Sequence, residues 1–96
     1  MTNKYTAIHP GEILLEEFLV PMGVNAAQLA RTIHVPSNRV TRLINGQAAV
    51  TPDTALRLAR ALRTTPEFWL NLQLRHDLEI AEDHGGLDDI TPIVAA

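Results

Sequence analysis

Apolar residues recur at three- and four-residue spacing along most of the chain, which is the pattern of amphipathic helices. The pattern breaks wherever a proline, a glycine or a helix-capping residue stands. These breaks predict five helices: one that opens at about His9, two within residues 25–46, one that begins at Pro52 and one that runs from Thr65 to Asp83. We therefore expect an all-α fold.

Helix starts are marked by a capping residue followed by proline, as in Thr51-Pro52 and Thr65-Pro66. The first helix should end at Pro21 and Gly23, because proline interrupts a helix and glycine tolerates the left-handed cap. In the fourth helix, five apolar side chains are predicted to pack inward. They are Ala55, Leu56, Leu58, Ala59 and Leu62.

Residues 25–46 read as two short helices joined by a tight turn. Asn25 can cap the first helix, and the apolar period breaks at His34-Val35-Pro36, where proline pre-sets a new helical start. The second helix begins at Ser37 and stops at Asn45-Gly46. This arrangement is typical of a helix-turn-helix.

The outward face of the second helix is polar and carries no acid. A short helix with arginine, asparagine, serine and threonine fits a DNA major groove, since these side chains pair with base edges. The other interpretation is an ordinary helix hairpin whose exposed face happens to be polar. On the first interpretation the DNA-binding residues are Gln28, Ser37, Asn38, Arg39, Thr41, Arg42, Asn45 and Gln47.

The fifth helix has more apolar surface than one small core needs. One stripe contains Phe68, Trp69, Leu72 and Ile80. A second stripe beside it contains Leu70, Leu74, Leu78 and Ala81. Either the helix presents one wide band to the core, or the second stripe is the seam of a homodimer, which would let two recognition helices read two half-sites.

Charge is unevenly distributed. The net charge is −3, but residues 25–63 contain six arginines and one acid, Asp53, and so carry +5, which leaves −8 for the rest. A basic middle between acidic ends indicates that one face meets phosphate. Arg57, Arg60 and Arg63 recur every three residues in the fourth helix, where we expect them to act as distant phosphate charges.

At 96 residues the chain should form one domain, with a loose arm at residues 1–8 and a tail at residues 84–96. It has no cysteine, no apolar leader and no membrane-length apolar run, so a cytoplasmic protein is the default expectation. The four histidines show no metal-ligand spacing, and no phosphate-binding glycine loop or nucleophile motif occurs. We expect no enzyme activity, no metal and no cofactor.

Five sequence blocks resemble the HigA-type antitoxins, which belong to the Xre-like group of lambda-repressor-like helix-turn-helix proteins. The blocks are HPGEILLEEFLVPMG at 9–23, QLAR at 28–31, VPSNRVTRLINGQ at 35–47, TPDTALRLARAL at 51–62 and TPEFWLNLQLRHDLE at 65–79. They cover most of the chain in family order, and HPGE and TPEFWLNLQ are the most discriminating. Two positions depart from the pattern: His34 replaces the usual turn glycine, and Ala26 replaces a glutamine that often touches phosphate.

The resemblance implies a homodimer that binds operator DNA, represses its own operon and neutralises a HigB-like ribonuclease toxin. A basic toxin would dock on acidic surface, for which Glu12, Glu16 and Glu17 on the first helix are candidates. Two other functions stay open. One is a free-standing helix-turn-helix regulator without a toxin, and the other is a protein-interaction helical bundle whose basic face binds something acidic.

Overall fold

The computed structural model describes residues 8–94, and within this range the chain forms five helices and no strand. They are α1 (Pro10–Met22), α2 (Ala26–Ile33), α3 (Ser37–Ile44), α4 (Pro52–Leu62) and α5 (Pro66–Asp83). The prediction of five helices is confirmed, including the start of α3 at Ser37 and the end of α5 at Asp83. The arm predicted for residues 1–8 lies outside the described residues except for Ile8.

The predicted capping residues begin the helices. The side chains of Asn25, Thr51 and Thr65 each accept a hydrogen bond from a backbone N–H three residues later, so one unpaired donor of each helix start is satisfied. In α1 the cap is His9, whose Nδ1 accepts from the Gly11 N–H at 2.9 Å.

The predicted end of α1 at Pro21 and Gly23 is confirmed at Gly23, which has φ +65°, whereas Pro21 lies inside the helix, whose last residue is Met22. The segment Leu14–Leu19 is wound as a π-helix, and the Val20 N–H donates to the Leu15 carbonyl five residues earlier. Proline normally clashes with the carbonyl four residues before it. The wider winding lies directly before Pro21 and changes that register, so the proline fits within the last turn.

The core lies where α5 crosses the other helices, around the fully buried Trp69. Its indole N–H donates to the Thr64 hydroxyl at 2.7 Å, and its ring packs against Phe18 at a centroid distance of 5.3 Å. The buried apolar residues around it come from all five helices and the loop before α4. They include Leu14, Leu19, Leu29, Ile33, Val40, Leu43, Val50, Ala55 and Leu58.

Leu56 was expected in this core, but it is 58% exposed on α4. The buried face of α4 is formed by its neighbours Ala55, Leu58 and Ala59, and Leu56 does not lie on that face. The prediction that Leu56 packs inward is therefore wrong: the buried face of an amphipathic helix covers only part of its circumference, and Leu56 lies outside that part.

The backbones of α1 and α3 meet at Gly11. A Cβ atom added to Gly11 would lie far inside contact distance of the Leu43 carbonyl oxygen, and also too close to the Ile44 Cα. Only glycine permits this approach, which fixes the start of α1 against the end of α3.

The second half of α5 extends beyond the bundle, and the molecule measures 51 × 24 × 20 Å. Leu74 and Leu78 are 55% and 52% exposed, and Ala81 is also exposed, whereas Leu70 is half-buried and packs against the core. Residues 84–94 of the predicted tail are exposed.

No single helix in the part of the chain that the structure describes is long and apolar enough to cross a membrane. The pair α1 and α2 reaches that length only across a 99° bend.

Candidate nucleic-acid interface

The turn between α2 and α3 is set by His34, which adopts the left-handed conformation with φ +62° and ψ +48°. The Val35 N–H then donates a hydrogen bond to the Ala30 carbonyl at 3.0 Å, which caps the end of α2. Pro36 is extended and starts α3. The helix-turn-helix geometry predicted for residues 25–46 is thus present, and histidine occupies the turn position at some backbone strain.

The two faces of α3 differ as its sequence pattern predicts. Val40 and Leu43 are buried and Ile44 is half-buried. The opposite face is exposed and has no acidic side chain. It consists of Ser37, Asn38, Arg39, Thr41 and Arg42.

Arg39 is held by an ion pair that the sequence did not predict. Its Nη1 lies 3.2 Å from Oδ2 of Asp53, and the same oxygen accepts from Nε of Arg57 at 2.9 Å. The three side chains are between 39% and 58% exposed, so water screens the pairs and their net energy is small. The pairs still give the Arg39 guanidinium a defined direction.

Arg42 points toward the segment that follows α3. Its Nη2 donates to the Gln47 carbonyl at 3.3 Å, and the Gln47 N–H donates to the Arg42 carbonyl at 2.8 Å. Asn45 and Gln47 are exposed at this end of the helix, while the Thr41 hydroxyl donates to the Ser37 carbonyl at 2.7 Å. Thr41 is thereby turned toward its own helix.

A concave surface of about 410 Å³ runs beside α3. It brings together Asn38, Arg39 and Arg42 from the predicted set. Its remaining lining comes from the turn before α3, the loop before α4 and the first turn of α4, and consists of Pro36, Ala48, Ala49, Thr51, Asp53 and Thr54.

Gln28 lies apart from this surface, on α2, and has a local role. Its Oε1 accepts from the Asn25 N–H at 2.8 Å, and its own N–H donates to Asn25 Oδ1 at 2.8 Å. This reciprocal capping box leaves only the amide Nε2 of Gln28 to donate to a phosphate.

Arg57 is part of the scaffold of the site, which separates it from Arg60 and Arg63. Its Nη1 donates to the Ile33 carbonyl at 2.8 Å, at the end of α2, where a cation is favoured by the helix dipole. Arg57 thus has a local structural role, and the expectation that all three arginines act as distant phosphate charges stays a prediction. The four-residue spacing from Asp53 to Arg57 predicts the ion pair between these two side chains. Nothing in the sequence predicts the long-range contact of Arg57 with α2.

No group of three or more histidine, aspartate or glutamate side chains placed to hold a metal ion is found within residues 8–94. The chemistry of the site is thus that of hydrogen-bond donors and arginine charges on one exposed helix. Such a surface suits recognition of base edges and phosphates.

Comparison with known proteins places this geometry in a family. The helix-turn-helix family model matches residues 15–69. Antitoxin HigA-1 of Vibrio cholerae is 47% identical over 76 residues, which cover 79% of this chain and 71% of that protein.

Solved structures match over nearly the whole chain. An addiction module antidote protein of the HigA family from Coxiella burnetii is 48% identical, with a TM-score of 0.85 over 90% of this chain and 97% of that one. Antitoxin GraA in complex with its operator is 45% identical, with a TM-score of 0.87 over 99% of both chains. These matches confirm the lambda-repressor-like fold. The chain belongs to the HigA-type antitoxins of the Xre-like helix-turn-helix family, a family of DNA-binding regulators and not of enzymes.

Proposed function

We propose that this protein is the sequence-specific DNA-binding antitoxin of a toxin–antitoxin module, which represses its own operon and neutralises a HigB-like ribonuclease toxin. The observation that carries the proposal is the exposed, acid-free face of α3, on a chain that matches operator-bound GraA over 99% of its length. Repression of an operon would take place in the cytoplasm, where we propose that the protein acts.

DNA reading would fall to α3. Arg39 and Arg42 lie three residues apart on its exposed face, so both can approach one groove. Arginine pairs bidentately with guanine and asparagine with adenine, which makes Arg39, Arg42 and Asn38 the base-reading candidates. Gln28, Ser37, Asn45 and Gln47 would contribute contacts at the groove edge and to phosphate.

Two copies would read two half-sites. The exposed Leu74 and Leu78 on α5 form the centre of the proposed seam, with Ala81 at its outer end. Leu70 belongs to the core side of the helix and would only border the seam. A two-fold dimer of this kind spaces its recognition helices about one turn of DNA apart.

Toxin binding is proposed for the acidic side of α1. Glu12, Glu16 and Glu17 are exposed there, and residues outside 25–63 carry a net −8. A basic ribonuclease would be attracted to this surface, mainly through a faster, salt-dependent association rate.

The DNA test compares operator and random-duplex affinity across a salt series for Arg39→Ala, Arg42→Ala and Arg60→Ala. At least one of the first two variants should lose about 1–3 kcal/mol of operator binding and relax the sequence preference at one position. Arg60→Ala should weaken both duplexes alike and lower the salt slope by about one. If Arg39→Ala and Arg42→Ala both keep the wild-type ratio of operator to random affinity, α3 does not read the sequence.

The toxin test reverses Glu16 and Glu17 to lysine, with Glu82→Lys as a control on the exposed end of α5. The double variant should associate with the toxin more slowly at low salt, whereas the control should associate at the wild-type rate. An unchanged association rate in the double variant would show that the toxin docks on another face of the protein. A chain that represses its operon without any toxin partner would instead be a free-standing regulator.

A further inference from the structure

His9 joins three parts of the molecule. Its Nδ1 caps α1 by accepting from the Gly11 N–H at 2.9 Å, and the Ala48 carbonyl accepts a hydrogen bond from the same imidazole. Since Nδ1 is an acceptor, the donor to Ala48 is Nε2–H, which defines one neutral tautomer. The ring also lies edge-on to His76 of α5, with centroids 4.9 Å apart.

Gln73 makes a second connection from α5 to the same loop. Its side chain is buried, its Oε1 accepts from the Val50 N–H at 2.7 Å and its Nε2 donates to Oδ1 of Asp77 at 2.9 Å. An amide that is satisfied at both ends in a buried position is a strong positional constraint.

The two side chains fix opposite ends of the post-recognition segment, which we define as residues 45–50 between α3 and α4. His9 holds it at Ala48 and lies beside Gly46, and Gln73 holds it at Val50. This segment carries the Gln47 carbonyl that receives Arg42. We therefore infer that the position of Arg42, a proposed DNA-reading residue, is linked to contacts that α1 and α5 make with this segment.

We propose that His9 and Gln73 are positioning residues for operator reading, and that neutral His9 is needed to keep the post-recognition segment and Arg42 in the reading position. The inference rests on the proposed DNA binding, and it adds that acid weakens operator recognition through a single histidine.

Protonation of His9 would turn Nδ1 from an acceptor into a donor. Nδ1–H and the Gly11 N–H would then oppose each other, and the α1 cap would be lost. The charged groups around the imidazole are few. They are His76 and Asp77, both on α5; residues 45–50 themselves contain no titratable side chain.

Burial is the main reason why the pKa of His9 is lowered, and the neighbouring His76 lowers it further, against smaller opposing effects of the Ala48 hydrogen bond and Asp77. A histidine with a lowered folded pKa stabilises the fold above its unfolded pKa near 6.5, and this stabilisation is lost as the pH falls through the folded pKa. The neutral form therefore prevails at neutral pH, and the contact opens in acid.

The sign of the effect distinguishes it from ordinary histidine titration. Any added positive charge on the protein would tighten the binding of every DNA sequence, because phosphate attraction does not depend on sequence. Loss of the His9 contact would instead weaken operator binding. Binding to random duplex does not require a positioned Arg42, so its affinity would change only with the net charge of the protein.

The experiment measures operator and random-duplex affinity from about pH 7.5 to about pH 5 for the full chain, for His9→Asn, for Gln73→Met and for the control His84→Asn. In the wild type the ratio of operator to random affinity should fall about fivefold, a change equivalent to the loss of one helix cap. His9→Asn keeps a capping acceptor but cannot titrate in this range, so its ratio should be constant with pH. Gln73→Met should have a lowered ratio at every pH, and His84→Asn should follow the wild type.

Amide hydrogen exchange of Gly11 and Val50, measured without DNA, gives a second readout. Acid itself slows amide exchange, so the quantity compared is the protection factor, which is the intrinsic exchange rate divided by the measured rate. Protection of the Gly11 amide should fall as His9 becomes protonated in the wild type but not in His9→Asn, and protection of the Val50 amide should be lower in Gln73→Met. The inference would be overturned if the wild-type ratio of operator to random affinity did not change with pH, or if this ratio fell equally in His9→Asn. If the wild type binds no duplex at any pH, the proposed function fails. A Gly11 protection factor that is the same at every pH would overturn the His9 contact separately.

Discussion

Asp53 holds Arg39 and Arg57 with a single carboxylate oxygen, at 3.2 Å from Nη1 of Arg39 and 2.9 Å from Nε of Arg57. It is the only acid in the basic segment 25–63, and it lies in the concave surface beside α3. An acid at a DNA-facing surface weakens attraction to phosphate. We predict that Asp53 directs Arg39 toward a base and away from the phosphate backbone of the DNA.

Replacing Asp53 by asparagine should raise affinity for random duplex by about threefold, because it removes a negative charge and releases Arg39. The ratio of operator to random affinity should fall at the same time, since Arg39 loses its fixed direction. Fluorescence anisotropy with both duplexes measures this, and Asp89→Asn in the exposed tail removes the same charge as a control. An unchanged ratio of operator to random affinity would contradict the directing role.

Arg57→Ala should destabilise the fold by about 1 kcal/mol, because it removes a charged hydrogen bond to the Ile33 carbonyl and leaves the end of α2 without its cation. Arg60 is exposed on the same helix, so Arg60→Ala should change the stability by less than about 0.5 kcal/mol. Urea denaturation of the two variants makes the comparison. Equal stabilities would show that the Arg57 contact contributes nothing.

Leu74→Glu should yield a folded monomer with weak operator binding, because a carboxylate in the proposed α5 seam cannot be desolvated. Leu74 is 55% exposed in the monomer, so folding itself should be little affected. Leu56→Glu introduces the same charge at a position that is 58% exposed on α4, outside the seam, and should remain dimeric. Sedimentation measures both variants. A dimeric Leu74→Glu protein would exclude this seam.

His34→Gly should stabilise the protein by about 0.5–1 kcal/mol. A left-handed conformation costs a residue with a Cβ about 1–2 kcal/mol, and the entropy that glycine loses on folding offsets part of the gain. Ala27→Gly, at an exposed α2 position with ordinary helical geometry, should instead destabilise by about 1 kcal/mol. If both glycine variants lose stability, the His34 turn stores no strain.

The local elements could be predicted because their causes are local. Caps at Asn25, Thr51 and Thr65, and the turn at His34, are each specified within a few residues. Pro21 shows the limit of this approach: a proline ends a regular α-helix, but a π-helical turn before it allowed the helix to continue.

The side-chain network of the site could not be predicted, because its partners are far apart in the chain. Arg57 binds a carbonyl 24 residues away, and Gln73 binds an N–H 23 residues away. Spacing rules apply only within one helix, so arginines at equal spacing looked equivalent until the packing of α4 against α2 separated them.

The close approach of Gly11 to the Leu43 carbonyl has a consequence for operator choice. Because the two helices touch through their backbones there, α3 cannot rotate or slide within its own domain without dismantling the start of α1. We therefore expect α3 and the start of α1 to approach DNA as one unit. An operator whose half-sites are separated by an extra base pair would then require twisting of the duplex or movement at the joint between protomers. We therefore expect the rotation of one half-site relative to the other about the DNA axis to be selected as strictly as their base sequence.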